Sequence, residues 1–136
     1  MQLYPNLTFD GQCEAAFKFY EECLRGRITF MLTYEDAPAE MQAPPHWKKK
    51  ICHATFTHPE FMFSGLDALP GQYQKPQGFT LQCNLNDPAE AERIFNALAQ
   101  DGTVQMPLQE TFWALRFGAV VDRFGIPWGI NCARPT

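Results

Sequence analysis

The sequence predicts an α+β chain built from two β-α-β-β-β modules in tandem, on three observations. The two halves match without gaps at an offset of 76 residues, pairing Leu7 with Cys83, Glu14 with Glu90, Ala15 with Ala91, Phe19 with Phe95, Gly26 with Gly102, Ile28 with Val104 and Leu32 with Leu108. Each half runs from a strand-period segment to a helix-period segment and then to three further strand segments. Finally, 136 residues with 46% apolar and 19% charged side chains make a globular composition, enough for one domain with a continuous core. The expected division is module one at 1–67, a linker at 68–78 and module two at 79–136 within a single domain. Tandem copies of one supersecondary unit bury what neither can bury alone, so a ligand cavity is expected between the modules.

The elements follow in order. Residues 3–9 alternate, with Leu3, Pro5, Leu7 and Phe9 on one side and Tyr4, Asn6 and Thr8 on the other, which predicts a half-buried strand. Asp10-Gly11 breaks it. Ala16, Phe19, Tyr20 and Cys23 then recur at helical spacing up to a stop near Gly26. Ile28–Leu32 predicts the second strand, Ile51–Thr57 the third and Phe61–Asp67 the fourth. In the second half Leu81, Cys83 and Leu85 alternate with Thr80, Gln82 and Asn84. Asp87-Pro88-Ala89-Glu90 supplies an N-cap, a proline at the first helical position and an acid resembling a capping box. Ala91, Ile94, Phe95 and Leu98 form the buried stripe. Strands are expected at Thr103–Met106, Phe112–Val121 and Trp128–Cys132. The Pro- and Glu-rich stretch Glu35–Lys50 falls outside the repeat and is expected to cover a cavity or a dimer contact.

Composition narrows the function classes. A net charge of -4, with Lys48-Lys49-Lys50 as the only basic run, argues against a nucleic-acid partner. No stretch is apolar enough to cross a membrane, and Met1 leads into a strand pattern without a secretory lead. Five cysteines (13, 23, 52, 83, 132) form an odd set without a C-x-x-C pair, which predicts reduced, mostly buried thiols and a cytoplasmic protein.

Three strings carry a family resemblance: Ile51-Cys52-His53-Ala54, then Glu110-Thr111-Phe112-Trp113-Ala114 with Phe117-Gly118, then Asp122-Arg123-Phe124-Gly125-Ile126-Pro127-Trp128-Gly129-Ile130-Asn131. With the tandem architecture they resemble the vicinal oxygen chelate superfamily of glyoxalase I, bleomycin-resistance proteins and extradiol dioxygenases. Within it the match is to the PhnB-like branch, often labelled 3-demethylubiquinone methyltransferase-like. The resemblance implies the paired-module fold and a homodimer. Metal-dependent members of the superfamily hold a divalent ion with His or Glu on the first and last strands of each module. Those positions fall here at Tyr4, Thr80, Asn131 and either Ser64 or Gly65, a neutral set without the charge to hold Zn, Ni or Fe. His53 and His58 are five apart on one strand and point to opposite faces. No metal and no cofactor are therefore expected. A methyl-donor site is not expected either, because no G-x-G cluster follows any strand.

The strand faces opposite the helices supply the candidate site. They should carry Tyr4, Asn6, Thr8, His53, Thr55, Thr57, Ser64, Thr80, Gln82, Asn84, Phe112, Arg116 and Asn131. Of these, Tyr4, Asn6, Ser64, Thr80, Gln82, Phe112, Arg116 and Asn131 are the expected ligand-binding residues, with Arg116 ready to meet an anion bidentately. His53 is the acid–base candidate because its ordinary pKa lies near neutrality, with Glu110 as its catalytic companion. Trp113, Phe117, Trp128 and Ile130 read as core. Together these predict a protein that binds a small organic molecule, anionic if Arg116 meets it, in the cavity between the modules without a tightly held metal. A metal-dependent or His53-assisted lyase, isomerase or dioxygenase is the alternative, and a scaffold without a ligand is the third.

Overall fold

The computed structural model describes residues 1–135, which divide into two compact units, 1–74 and 75–135. Unit 1 holds β1 (Asn6–Phe9), α1 (Cys13–Leu24), β2 (Arg27–Thr33), β3 (Ile51–His58) and β4 (Phe61–Asp67). Unit 2 holds β5 (Leu81–Leu85), α2 (Pro88–Ala99), β6 (Thr103–Gln109), β7 (Ala114–Val121) and β8 (Pro127–Ala133). The two sheets share one topology, β1-β4-β3-β2 and β5-β8-β7-β6. In each the first strand pairs parallel with the last and the other pairs are antiparallel. The predicted β-α-β-β-β order is present in both halves.

Each helix lies on one face of its own sheet, held by apolar burial. In unit 1 Cys13, Ala16, Phe17, Tyr20, Cys23 and Leu24 are buried. The Phe17 ring stands edge-on to Phe9, Phe56 and Phe63 at centroid distances of 6.1, 6.1 and 5.5 Å. Phe56 and Phe63 stack at 4.7 Å. Burying each such ring contributes about 1.5–3 kcal/mol. In unit 2 the buried stripe is Ala91, Ile94, Phe95 and Leu98, as predicted. A strand glycine makes room for a helix ring in both units. A Cβ on Gly65 would sit 2.7 Å from the Phe17 ring, and one on Gly118 would sit 2.9 Å from Phe95.

The ungapped repeat misplaces one element. The first two strands of each unit keep the offset of 76, β1 against β5 and β2 against β6, but the buried helix positions between them match at 75, with Ala16 aligning to Ala91, Tyr20 to Phe95 and Cys23 to Leu98. Unit 1 has three residues between β1 and α1 and two between α1 and β2, whereas unit 2 has two and three. Moving one residue from one turn to the other turns the helix by about 100° against the alignment. Accordingly Ala15 is exposed while Ala91 is buried.

Gly26 and Gly102 do not end their helices through a left-handed backbone. The residues before them do so, Arg25 with φ 60° and Asp101 with φ 57°. The glycines are needed for close approach. A side chain at Gly26 would run into the Phe56 ring and lie 2.9 Å from the Thr57 carbonyl, and one at Gly102 would lie 2.5 Å from the Val121 carbonyl.

Two strands are shorter at their starts than predicted. β1 begins at Asn6, leaving Leu3 96% exposed, and β7 begins at Ala114, leaving Phe112 89% exposed. The Glu35–Lys50 stretch contains two single 3₁₀ turns, Ala39–Met41 and Pro45–Trp47, and folds back on its own unit. Trp47 Nε1 donates to the Ala68 carbonyl at 3.0 Å and Lys50 Nζ to the Gly11 carbonyl at 2.9 Å. Among the described residues no helix is long and apolar enough to cross a membrane, and all five cysteines are free.

Candidate functional site

Strand register decides which side chains each sheet turns away from its helix. In unit 2, Cys83 pairs with Ile130 and Gly118 with Ile130, so these residues share the α2 side with Trp128 and Val120. The intervening residues occupy the open face: Gln82 and Asn84 of β5, Gly129 and Asn131 of β8, and Phe117, Ala119 and Val121 of β7. Thr80, just ahead of β5, reaches the same face, because a Cβ on Gly129 would contact Thr80 Oγ1 at 3.6 Å and Gln82 Oε1 at 3.6 Å. Three of the expected ligand-binding residues, Thr80, Gln82 and Asn131, are thus brought together.

Their amides form a cluster. Gln82 Nε2 donates to Asn84 Oδ1 at 3.0 Å, and Asn131 Nδ2 donates to the same oxygen at 3.2 Å. Asn131 Oδ1 is buried and has no hydrogen-bond partner. A buried carbonyl oxygen left unpaired costs about 1–3 kcal/mol, so this atom marks a place where an external donor would be favourable. Beside the cluster, Gly129 and Ala119 pair across β8 and β7 and keep the middle of the face low.

Arg116 and the aromatic residues of β7 are reversed from the prediction. Arg116 pairs with Cys132 on the helix side, where its Nε meets Glu92 Oε1 of α2 at 3.1 Å. Phe117, expected in the core, is on the open face opposite Asn131, and Trp113 is 48% exposed before the strand begins. The prediction placed the bulky side chains inward. Here the bulk comes from the helix, since Phe95 fills the space over Gly118, and a bulge between Ala114 and Arg116 resets the strand's parity. Phe112 precedes the strand and packs edge-on against Trp113 at 4.8 Å. Glu110 also precedes it, and its carboxylate is held by Arg134 at 2.8 Å.

Unit 1 has its own open face, with Asn6, Thr8, Thr55, Thr57, His53 and Ser64 on it as predicted. Its polar groups are more nearly satisfied. Ser64 Oγ donates to Asn6 Oδ1 at 2.7 Å, and the Thr29 and Thr57 hydroxyls meet at 2.9 Å. His53 is exposed with its ring 5.7 Å from Phe30, and His58 lies on the other face, stacked on Phe61 at 4.5 Å. Tyr4 is exposed ahead of β1.

The buried titratable groups are structural. Asp67 Oδ1 accepts from Cys13 N at 2.9 Å, its Oδ2 from Ile51 N at 2.8 Å, and its carbonyl from Tyr34 Oη at 2.7 Å. Burial, aided by the Asp67 charge, pushes the Cys13 thiol far above its ordinary value. Burial alone pushes Cys83 up to about 11. Neither thiol is a nucleophile at neutral pH.

The register also places the four positions expected to bind metal in metal-dependent relatives. Asn6 pairs with Ser64 and Asn84 with Asn131, so the unit 1 counterpart of Asn131, opposite Thr8, is Leu66 and neither Ser64 nor Gly65. Tyr4, Leu66, Thr80 and Asn131 do not fit a divalent transition ion, having no carboxylate or imidazole among them. Among the described residues no group of three or more His, Cys, Asp or Glu side chains is arranged to hold one. A methyl-donor cofactor fits no better. The α1 start is capped by Asp67 and covered by Trp47, which lies 3.0 Å from the Cβ position of Gly11, and the α2 start is capped by Asp87 Oδ1 accepting from Ala89 N at 3.0 Å.

Comparison with known proteins is consistent along the whole chain. Residues 1–131 match the family described as 3-demethylubiquinone-9 3-methyltransferase. Protein YjdN of Escherichia coli strain K12 is 34% identical, with 98% of this chain and 97% of that protein covered. The crystal structure of PA1353 from Pseudomonas aeruginosa is 42% identical with a TM-score of 0.90, covering 99% of each chain. A glyoxylase/bleomycin resistance protein/dioxygenase domain from Frankia sp. EAN1pec shares the fold alone, with 14% identity, a TM-score of 0.66 and 98% of each chain covered. The two βαβββ modules read from the residues are those of the glyoxalase/bleomycin-resistance fold, and the chain belongs to the 3-demethylubiquinone-9 3-methyltransferase family.

Proposed function

We propose that this protein binds a small polar organic molecule on the open face of the unit 2 sheet, without a tightly held metal or a methyl-donor cofactor. The observation that carries this reading is Asn131 Oδ1, buried without a partner inside an amide cluster whose other members already hydrogen-bond one another. A ligand hydroxyl or amine would donate to that oxygen, and Phe117 offers an apolar wall beside it. Working as a homodimer in a reducing compartment belongs to the same reading, and the five free thiols fit such a compartment.

The test is a fragment screen followed through the side-chain amide resonances of Gln82, Asn84 and Asn131. Hydroxyl- or amine-bearing fragments should shift these resonances, and Asn131→Leu should abolish the response while leaving the fold intact. A screen that leaves all three unmoved would sink the reading. Elemental analysis of chelator-free protein checks the metal side. About one transition-metal ion per chain would replace the binding reading with a metal-dependent enzyme.

A further inference from the structure

At one end of the same face lies an open recess of about 620 Å³, lined within unit 2 by Lys75, Gln77, Phe79, Thr80 and Gln105 over an apolar floor that includes Val121 and Pro127. Its volume falls in the range of small-molecule sites and far exceeds what an inorganic anion needs. Its chemistry is divided. Lys75 is exposed and forms no ion pair among the described residues, so its ammonium is available to an incoming anion. Phe79 is 51% exposed and, among the described residues, packs against no other ring. A half-exposed ring beside a free cation, with a hydroxyl and an amide in reach, suits a flat apolar body carrying a single negative charge. One lysine supplies a single positive charge, which balances a carboxylate fully but a phosphate group, with about -1.5 to -2 charge at neutral pH, only in part.

We propose that this recess takes the acid end of a small aromatic carboxylate. Lys75 neutralises the carboxylate, Phe79 covers the ring, and Thr80 joins the recess to the amide cluster at Gln82. This rests on the binding-face reading and names the class of ligand for it. It also moves the anion-meeting role from Arg116, which is engaged with Glu92 on the other side of the sheet, to Lys75.

The experiment is a titration of the full chain with benzoate and with its neutral isostere benzamide, followed by backbone and side-chain amide NMR. Benzoate should shift the amides of Gln77, Phe79, Thr80, Gln105 and Val121 saturably and bind about tenfold more tightly than benzamide, the size of one good charge-assisted contact. Lys75→Gln, at an exposed position that the fold does not depend on, should erase that preference, and Phe79→Leu should weaken both probes. Equal binding of the two probes, or a preference that survives Lys75→Gln, overturns the assignment. Shifts at the Gln82, Asn84 and Asn131 side chains with a silent recess overturn it too, yet leave the binding face standing. If the fragment screen leaves those three side chains unmoved, the binding face itself fails.

Discussion

Among the described residues each unit buries one carboxylate side chain, and the two do opposite kinds of work. Asp67 of unit 1 joins the start of α1, 54 residues away, to the start of β3, 16 residues away, and its backbone carbonyl holds Tyr34. Asp122 of unit 2 serves its own hairpin: Oδ1 accepts from Phe124 N at 2.8 Å and Ile126 N at 3.0 Å, and Oδ2 from Trp128 Nε1 at 2.9 Å, around a left-handed Gly125. The same supersecondary unit thus closes itself by a long-range knot in one copy and by a local turn in the other. The knot goes with a long excursion, since 34–50 separate β2 from β3 whereas only 110–113 separate β6 from β7. It leaves α1 capped by a distant strand and α2 by its neighbour Asp87.

Breaking the knot should have the largest effect. Asp67→Ala strands two buried N–H groups and should cost about 3–5 kcal/mol in urea denaturation, with Asp122→Ala somewhat smaller because its hairpin is nearer to solvent. A loss under about 1 kcal/mol for Asp67→Ala would erase the contrast. Alkaline pH probes both units together. Cys13 and Cys83 have folded-state pKa values raised by burial, so below the ordinary thiol pKa of about 8.5 they cost nothing. Above it the unfolded chain loses protons that the folded chain keeps. Stability should therefore fall with rising pH by about 1.4 kcal/mol per unit for each such thiol, the Cys83 contribution ending near its folded value of about 11. Cys83→Ala should flatten the unit 2 part of that slope, and an unchanged slope in that variant would contradict it.

The local cap is a smaller matter. Asp87→Ala should cost about 1 kcal/mol, since it removes one N-cap bond from a helix whose Pro88 start is otherwise intact. A loss as large as that of Asp67→Ala would mean that both caps are knots. Smallest of all, Arg116→Ala removes a partly exposed pair with Glu92 and should change stability by less than about 0.5 kcal/mol. Fragment affinity on the open face should not change. Any loss of affinity in that variant would return Arg116 to the site.

Fold class, element order and the buried stripe of α2 were legible because period and turn chemistry are local properties. The α2 cap was legible for the same reason, with Asp87 and Pro88 adjacent in the chain. What lay beyond reach was set by partners distant in sequence. The one-residue slide of α1 depends on Asp67 receiving the Cys13 N–H, and the parity of β7 depends on a bulge and on Phe95 arriving over Gly118. Five of the eight expected binding residues therefore lie on the open face of their own sheet, Thr80, Gln82 and Asn131 in unit 2 and Asn6 and Ser64 in unit 1. Arg116 and Phe112 do not. The places of Phe117 and Gly129 on the open face and of Lys75 in the recess were not legible, although the Gly129 string belongs to the family signature. Much of that signature is structural, since Asp122, Gly125 and Trp128 build the β7–β8 hairpin.

The distance between Asp67 and the helix it caps also sets an order of events in time. During synthesis α2 emerges with its cap already two residues behind its first free N–H, whereas α1 must wait for 54 more residues before its cap exists. Local closures are fast and long-range closures slow. The C-terminal unit is the one whose helix can form as soon as it is made, and the N-terminal unit, though translated first, finishes its helix only when β4 arrives.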